Sequence, residues 1–254
     1  MLAIGCQITG LCAAPLYDGT LGTTLDAQGW TYMHDNGSGI PNTSTAAKSW
    51  ASGATVLNTT IQRADRAGFL RVDQTLDRTT GFALTFDLRL LAEAHTGMDR
   101  AGFSLIALAS DKRGIELGFW NDRVFAQNDS PLFTQGESTT FPIGFDPTLS
   151  HLYTLTMSGN TYSLSAAGLP TLTGALRDYT SFTTLPYSVV YNTPNLLFMG
   201  DDSGSAEASF AIASVGVTPI PEPWLGLGLI GCLVPLAYVH VRRDRTHARH
   251  STGS

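Results

Sequence analysis

The sequence predicts an all-β chain: a two-sheet antiparallel β-sandwich followed by a single C-terminal transmembrane helix. Two observations carry the sandwich. Short apolar runs alternate with polar residues at a period of two, the signature of strands with one buried face. Between them lie many Ser and Thr residues together with 26 glycines and 12 prolines, the composition of strands joined by frequent turns. A third observation concerns size: 254 residues, 43% hydrophobic and 14% charged, suffice for one large β-domain that needs no disulfide staples. Cys6, Cys12 and Cys232 lie in the two terminal apolar stretches, and this spacing does not fit a zinc site.

The clearest strand runs through Phe82, Leu84, Phe86, Leu88 and Leu90, which alternate with Ala83, Thr85, Asp87 and Arg89. Gly102 to Ser110 and Ile115 to Trp120 are expected as its neighbours, separated by the charged turn Asp111-Lys112-Arg113-Gly114. Tyr153, Leu155 and Met157 alternate with Thr154 and Thr156, and Ser158-Gly159-Asn160 then turns the chain into Tyr162, Leu164 and Ala166, a hairpin pattern. Leu196 to Met199 and Phe210 to Val217 supply late strands. About ten to twelve strands in two packed sheets are expected, in one domain over residues 15–218.

The two ends read as addresses. Residues 1–14 are apolar, end in Cys12-Ala13-Ala14 and precede Pro15, like the end of a secretory signal peptide. The stretch is short and lacks a basic n-region, which a start site assigned too far downstream explains; the alternative is a buried N-terminal strand. Near the other end, Pro221-Glu222-Pro223 precedes an apolar run over 224–241 and then Arg242, Arg243 and Arg245. About eighteen residues at about 1.5 Å each give roughly 27 Å of helix, barely enough to cross a hydrocarbon core. The arginines would hold the C-terminus on the cytoplasmic side and leave the body outside.

Proline, glutamate and proline, a short span and an arginine cluster, in that order, resemble the PEP-CTERM sorting signal of Gram-negative bacteria, here over residues 219–245. The resemblance implies export, transient anchoring in the inner membrane and cleavage by the membrane peptidase exosortase, with Pro221, Glu222 and Pro223 as the motif and Arg242, Arg243 and Arg245 as the retention cluster. Residues 246–254 are then a disordered cytoplasmic tail. An ordinary C-terminal anchor is the alternative. Three pieces of the body, Leu16-Tyr17-Asp18-Gly19, Leu152-Tyr153-Thr154-Leu155 and Leu197-Phe198-Met199-Gly200-Asp201-Asp202, resemble the concanavalin A-like (LamG-type) jelly rolls of bacterial choice-of-anchor proteins. This implies a surface or extracellular-matrix location.

The formal net charge is -6, and Arg242, Arg243, Arg245 and Arg249 all follow the last apolar segment. The acidic body repels phosphate backbones, so no nucleic-acid partner is expected. Glycosidases of this fold place two glutamates and an aspartate on one strand. Ile115 to Trp120 offers only Glu116, and Glu-x-Asp-x-x-Glu is absent. No nucleophile elbow, metalloprotease helix or phosphate loop appears.

One polar-aromatic cluster remains: Arg100, Glu116, Trp120, Gln127 and Asn128. Alternation along Ile115 to Trp120 puts Ile115, Leu117 and Phe119 on the core face and Glu116, Gly118 and Trp120 on the other. On an exposed face, Trp120 would offer its ring to a sugar while the polar residues bond the hydroxyls. The alternative places Trp120 in the core, with Asn121-Asp122 as a hairpin turn. Asp201 and Asp202 would supply hard oxygens to Ca²⁺, or form a solvated turn. Three functions stand open: a non-catalytic module binding extracellular polysaccharide, a structural or adhesive component without a specific ligand, and, ranked last, a glycoside hydrolase.

Overall fold

A computed structural model describes residues 15–182 and 188–220. The strands are β1 (Tyr17–Asp18), β2 (Thr31–Asp35), β3 (Ala47–Ala51), β4 (Ala54–Asn58), β5 (Arg66–Arg71), β6 (Phe82–His95), β7 (Phe103–Leu108) and β8 (Arg113–Phe119). They continue as β9 (Arg123–Asp129), β10 (Leu132–Thr140), β11 (His151–Ser158), β12 (Thr161–Ala166), β13 (Leu169–Ala175), β14 (Arg177–Asp178), β15 (Leu196–Asp201) and β16 (Ala206–Pro219), with a short helix α1 (Ser188–Asn192) before β15. The first sheet runs β13-β12-β11-β6-β16-β4-β3, with β1 also on β16, and the second runs β10-β9-β8-β7-β15-β5-β2, with β14 also on β8. Neighbours pair antiparallel throughout, as in β6 with β16 and β7 with β8. The expected two-sheet antiparallel sandwich is therefore the fold. It holds more strands than the ten to twelve expected, because several are short or lie exposed at sheet edges.

Alternation explains the layering. In β6, Phe82, Leu84, Phe86, Leu88 and Leu90 are buried while Ala83, Thr85, Asp87 and Arg89 are half-buried on the other face. β7 and β8 are not the sheet neighbours of β6 that the sequence suggested: β6 pairs with β11 and β16, and β7 and β8 lie in the facing sheet, from which Ile115, Leu117 and Phe119 enter the same core. Phe86 meets Phe119 edge to face at 6.2 Å, and Phe86 stacks on Tyr153 at 5.2 Å. Buried rings of this kind stabilise by about 1.5–3 kcal/mol each through area removed from water. The hairpin expected at Ser158-Gly159-Asn160 closes β11 on β12 with the pair Ser158 and Thr161, and Gly159 has φ 58°, a left-handed turn conformation that glycine adopts without a Cβ penalty.

A second, smaller core lies on the outer face of the second sheet. Leu70, Ile106, Leu108, Leu196 and Phe198 pack there against Tyr179, Val190 and Tyr191. The chain around β14 and α1 covers part of this face and decides the fate of the polar cluster. Among the described residues, no helix is long and apolar enough to cross a membrane. Residues 1–14, expected as a signal peptide, and Pro221, Glu222 and Pro223, the expected span 224–241, Arg242, Arg243 and Arg245, and the expected tail 246–254 lie outside the described residues.

Candidate functional site

Strand alternation brings the polar side chains together on the outer face of the second sheet. Glu116 projects from β8, Ser104 from neighbouring β7, and Asp202 follows β15 on the far side of β7. Arg100, in the loop before β7, reaches both carboxylates, with Nη2 at 2.7 Å from Asp202 Oδ2 and Nη1 at 3.3 Å from Glu116 Oε1. Ser104 donates to Glu116 Oε1 at 3.1 Å. The Tyr191 hydroxyl lies 2.8 Å from Glu116 Oε2 and 2.5 Å from Asp202 Oδ2. The Arg100 guanidinium also sits 4.2 Å from the centre of the Phe133 ring.

This arrangement corrects the exposed-groove expectation. The alternation is as expected, but Trp120 is only 3% exposed and Glu116 and Gln127 are each 1% exposed. Trp120 packs on Phe125 and stacks on His95, and its Nε1 donates to the Arg100 carbonyl at 2.9 Å. Gly118 leaves room for a ring, as expected, but the ring is the protein's own: a Cβ there would lie 2.6 Å from Phe125. Asn121-Asp122 forms the turn between β8 and β9, closed by Trp120 N–H on the Arg123 carbonyl at 2.9 Å. Gln127 donates to the Asp99 carbonyl. Asn128 donates to Thr134 Oγ1 and the Gln135 carbonyl, each at 3.2 Å, and accepts from Arg177 at 3.1 Å. Arg100, Glu116, Trp120 and Gln127 thus gather around one loop, as internal fasteners and not as an open groove, while Asn128, next to Gln127 in β9, leaves on the other face toward Arg177.

The two aspartates separate. Asp201 points into the sandwich, where it accepts from Thr59 Oγ1 at 2.8 Å and from the Ser203 N–H at 2.9 Å. Asp202 turns to the outer face and takes Arg100 and Tyr191. Side chains of adjacent residues in an extended chain leave on opposite faces, so the pair does not present a common set of hard oxygens to Ca²⁺. Among the described residues, no group of three or more His, Cys, Asp or Glu side chains is placed to hold a metal ion.

Burial sets the electrostatics. It pushes Glu116 up to about 7, with Asp202 adding to the rise and Arg100, Tyr191 and Ser104 opposing it. Burial alone would lower Arg100, but Asp202 and Glu116 hold its guanidinium well above the ordinary value. A phenol carries one hydrogen and can donate to only one of two flanking carboxylates. A proton on Glu116 resolves the conflict: its carboxyl donates to the Tyr191 oxygen, Tyr191 donates to Asp202, and Arg100 neutralises Asp202. In that state the cluster carries no net charge, which removes most of the cost of burying it.

Of this set, Tyr191 and Ser104 were not singled out in the sequence. Ser104 was readable, since it shares the outer face with Ile106 opposite β8. Tyr191 lies 75 residues from Glu116 along the chain, and no local pattern announces it.

No protein-family model matches the chain. Nor does any curated protein sequence. Among solved structures, the chain is similar to a carbohydrate esterase from the Shiga toxin-encoding bacteriophage phi24B, with 14% identity, TM-score 0.51, and coverage of 80% of this chain and 95% of that one. It is also similar to a protein of unknown function with a galectin-like fold from Bacillus subtilis, with 12% identity, TM-score 0.50, and coverage of 82% and 96%. A third similar structure is the carbohydrate recognition domain of Emp46p in its potassium-bound form, with 13% identity, TM-score 0.46, and coverage of 81% and 96%. At these identities the first two likenesses establish the sandwich fold.

Proposed function

We propose that the chain is an exported bacterial surface or matrix protein, delivered through its PEP-CTERM-like tail and exosortase, whose sandwich is a non-catalytic module that associates with extracellular polysaccharide. The observation that carries the non-catalytic part is the closure of the Glu116 and Asp202 pair. Both carboxylates are buried and engaged by Arg100 and Tyr191, whereas glycoside hydrolysis needs an acid and a base or nucleophile open to the scissile bond. The fold is shared with a carbohydrate esterase and a galectin-like protein. That supports saccharide as a partner class, although fold by itself transfers no activity. Delivery rests on the order of Pro221, Glu222, Pro223, the apolar run and the arginines.

The test pairs the two parts. A host lacking exosortase should retain the full chain in its inner membrane, while the normal host yields a shortened mature C-terminus by mass spectrometry. The same mature C-terminus in both hosts refutes the sorting route. Release of new reducing ends from polysaccharides incubated with the purified protein refutes the non-catalytic assignment.

A further inference from the structure

The outer face of the first sheet carries a feature that the buried cluster does not explain. Cross-strand register aligns Thr85 on β6, Thr154 on β11 and Ser165 on β12 in one row. Two residues further along the strands, Thr156 on β11, Ser163 on β12 and Thr173 on β13 form a second. Ser165 and Thr173 are exposed and the other four half-buried, while the alternate residues Leu155, Met157 and Leu164 fill the core beneath. Strands lie about 4.8 Å apart and every second residue about 6.8 Å along the strand, so the hydroxyls form a regular two-dimensional array. Among the described residues, the side-chain hydroxyls of Thr154, Thr156, Ser163, Ser165 and Thr173 have no hydrogen-bond partner in the chain. A shallow depression of about 400 Å³ opens over Thr156, Ser163 and Thr173.

We infer that this face is the binding surface for a neutral polysaccharide, a hexose polymer without carboxylate, phosphate or sulfate groups. This rests on the reading that the body associates with polysaccharide, and it locates the contact away from Trp120. Chemistry selects the ligand. Neither row contains a charged residue, and the nearest on these strands, Asp87, begins the next register and already takes Ser150 Oγ. An anionic polymer finds nothing to neutralise there, and an apolar partner would strip water from hydroxyls without replacing their bonds. A neutral sugar chain brings repeating donors and acceptors to a repeating set of both. The surface is also held in shape: Arg78 bonds the Gly159 carbonyl at 2.6 Å and Asn160 Oδ1 at 2.8 Å while pairing with Asp111 at 2.6 Å, which clamps the β11–β12 turn. Preorganisation of this kind lowers the entropy cost of binding.

Affinity electrophoresis of the full chain through gels containing laminarin or dextran, with alginate as the anionic control, tests the inference. The neutral glucans should retard the protein and alginate should not. The triple substitution T154V/T156V/S163A removes three hydroxyls at nearly constant shape and should weaken retention about tenfold or more. Thr173→Lys, on the exposed edge strand, should weaken it as well and guards against misfolding of the triple variant; each variant's melting temperature is read alongside. If the glucans retard wild type and both folded variants equally, the site is wrong while the polysaccharide reading survives. If no polysaccharide retards the wild type, both fall, and retention by alginate alone overturns the assignment of a neutral ligand.

Discussion

The indole of Trp120 lies flat on the imidazole of His95, with ring centroids 3.8 Å apart and planes 6° from parallel. His95 ends β6 in the first sheet and Trp120 follows β8 in the second, so the stack ties the two sheets at the ends of these interior strands. Phe125 closes on the indole at 5.0 Å, and the indole N–H holds the Arg100 carbonyl.

Trp120→Ala should therefore cost stability and not merely affinity. Truncating a buried tryptophan costs about 3–5 kcal/mol, which for a domain of this size lowers the melting temperature by on the order of 10 °C. Thermal unfolding by circular dichroism checks this. An unchanged melting temperature together with lost glycan binding would return Trp120 to the role of an exposed anchor.

Among the described residues, Arg100 is the cation paired with Asp202, at 2.7 Å. Arg100→Met removes the countercharge and leaves a carboxylate buried against Tyr191, a loss of about 3–5 kcal/mol for a broken buried pair. Adding Asp202→Asn removes the stranded charge, so the double variant should recover part of that loss. Urea denaturation of the two single variants and the double variant checks the coupling. Strictly additive losses would show that the pair does not interact.

Where local rules applied, the fold was legible. Phe82 to Leu90, the β11–β12 hairpin and the inward set Ile115, Leu117 and Phe119 all follow from period-two alternation. Strands β3 and β10 were not legible, because edge strands such as Ala47–Ala51 expose both faces and show no hydrophobic alternation. Buried β5 hid for the opposite reason: Ala67, Phe69 and Leu70 are covered on both faces of the second sheet. Alternation also named the face of Trp120 correctly but said nothing about what lies over it. Over the indole lie His95 and Phe125, while Tyr179, Val190 and Tyr191 cover the apolar patch around Ile106 and Phe198, and placement of distant segments over a sheet is a tertiary choice that no short window encodes.

Disulfides do not enter the body's stability, since the sequence has no cysteine between Cys12 and Cys232. A fragment of residues 15–220 should fold in a reducing cytoplasm, and adding reductant should leave its melting temperature within about a degree, with no loop-closing crosslink to lose. A fall of many degrees on reduction, followed by calorimetry, would contradict this covalent structure.

The last prediction concerns the proton on Glu116. Its carboxyl is raised from an ordinary 4.5 to about 7 by burial, with Asp202 contributing and Arg100 opposing. Between these values the folded chain binds more protons at this site than the unfolded chain, so the site's contribution to stability falls as pH rises. That contribution is fully present below about 4.5, declines through the window and is lost above about 7. The whole span corresponds to about 3 kcal/mol. Carboxylates lowered by surface partners, such as Asp73 beside Arg71, slope the other way at more acidic pH, so the wild-type profile alone is not diagnostic. Glu116→Gln isolates the effect, because glutamine keeps a donor for the Tyr191 oxygen and cannot ionise. The variant should match wild type to within about 1 kcal/mol near pH 5, where the native carboxyl is itself neutral, and then gain on it steadily. By pH 8 it should be the more stable of the two in urea denaturation. A difference between variant and wild type that stays constant from pH 5 to pH 8 would mean that Glu116 is ionised throughout and that Tyr191 does not stand between one protonated and one charged carboxyl.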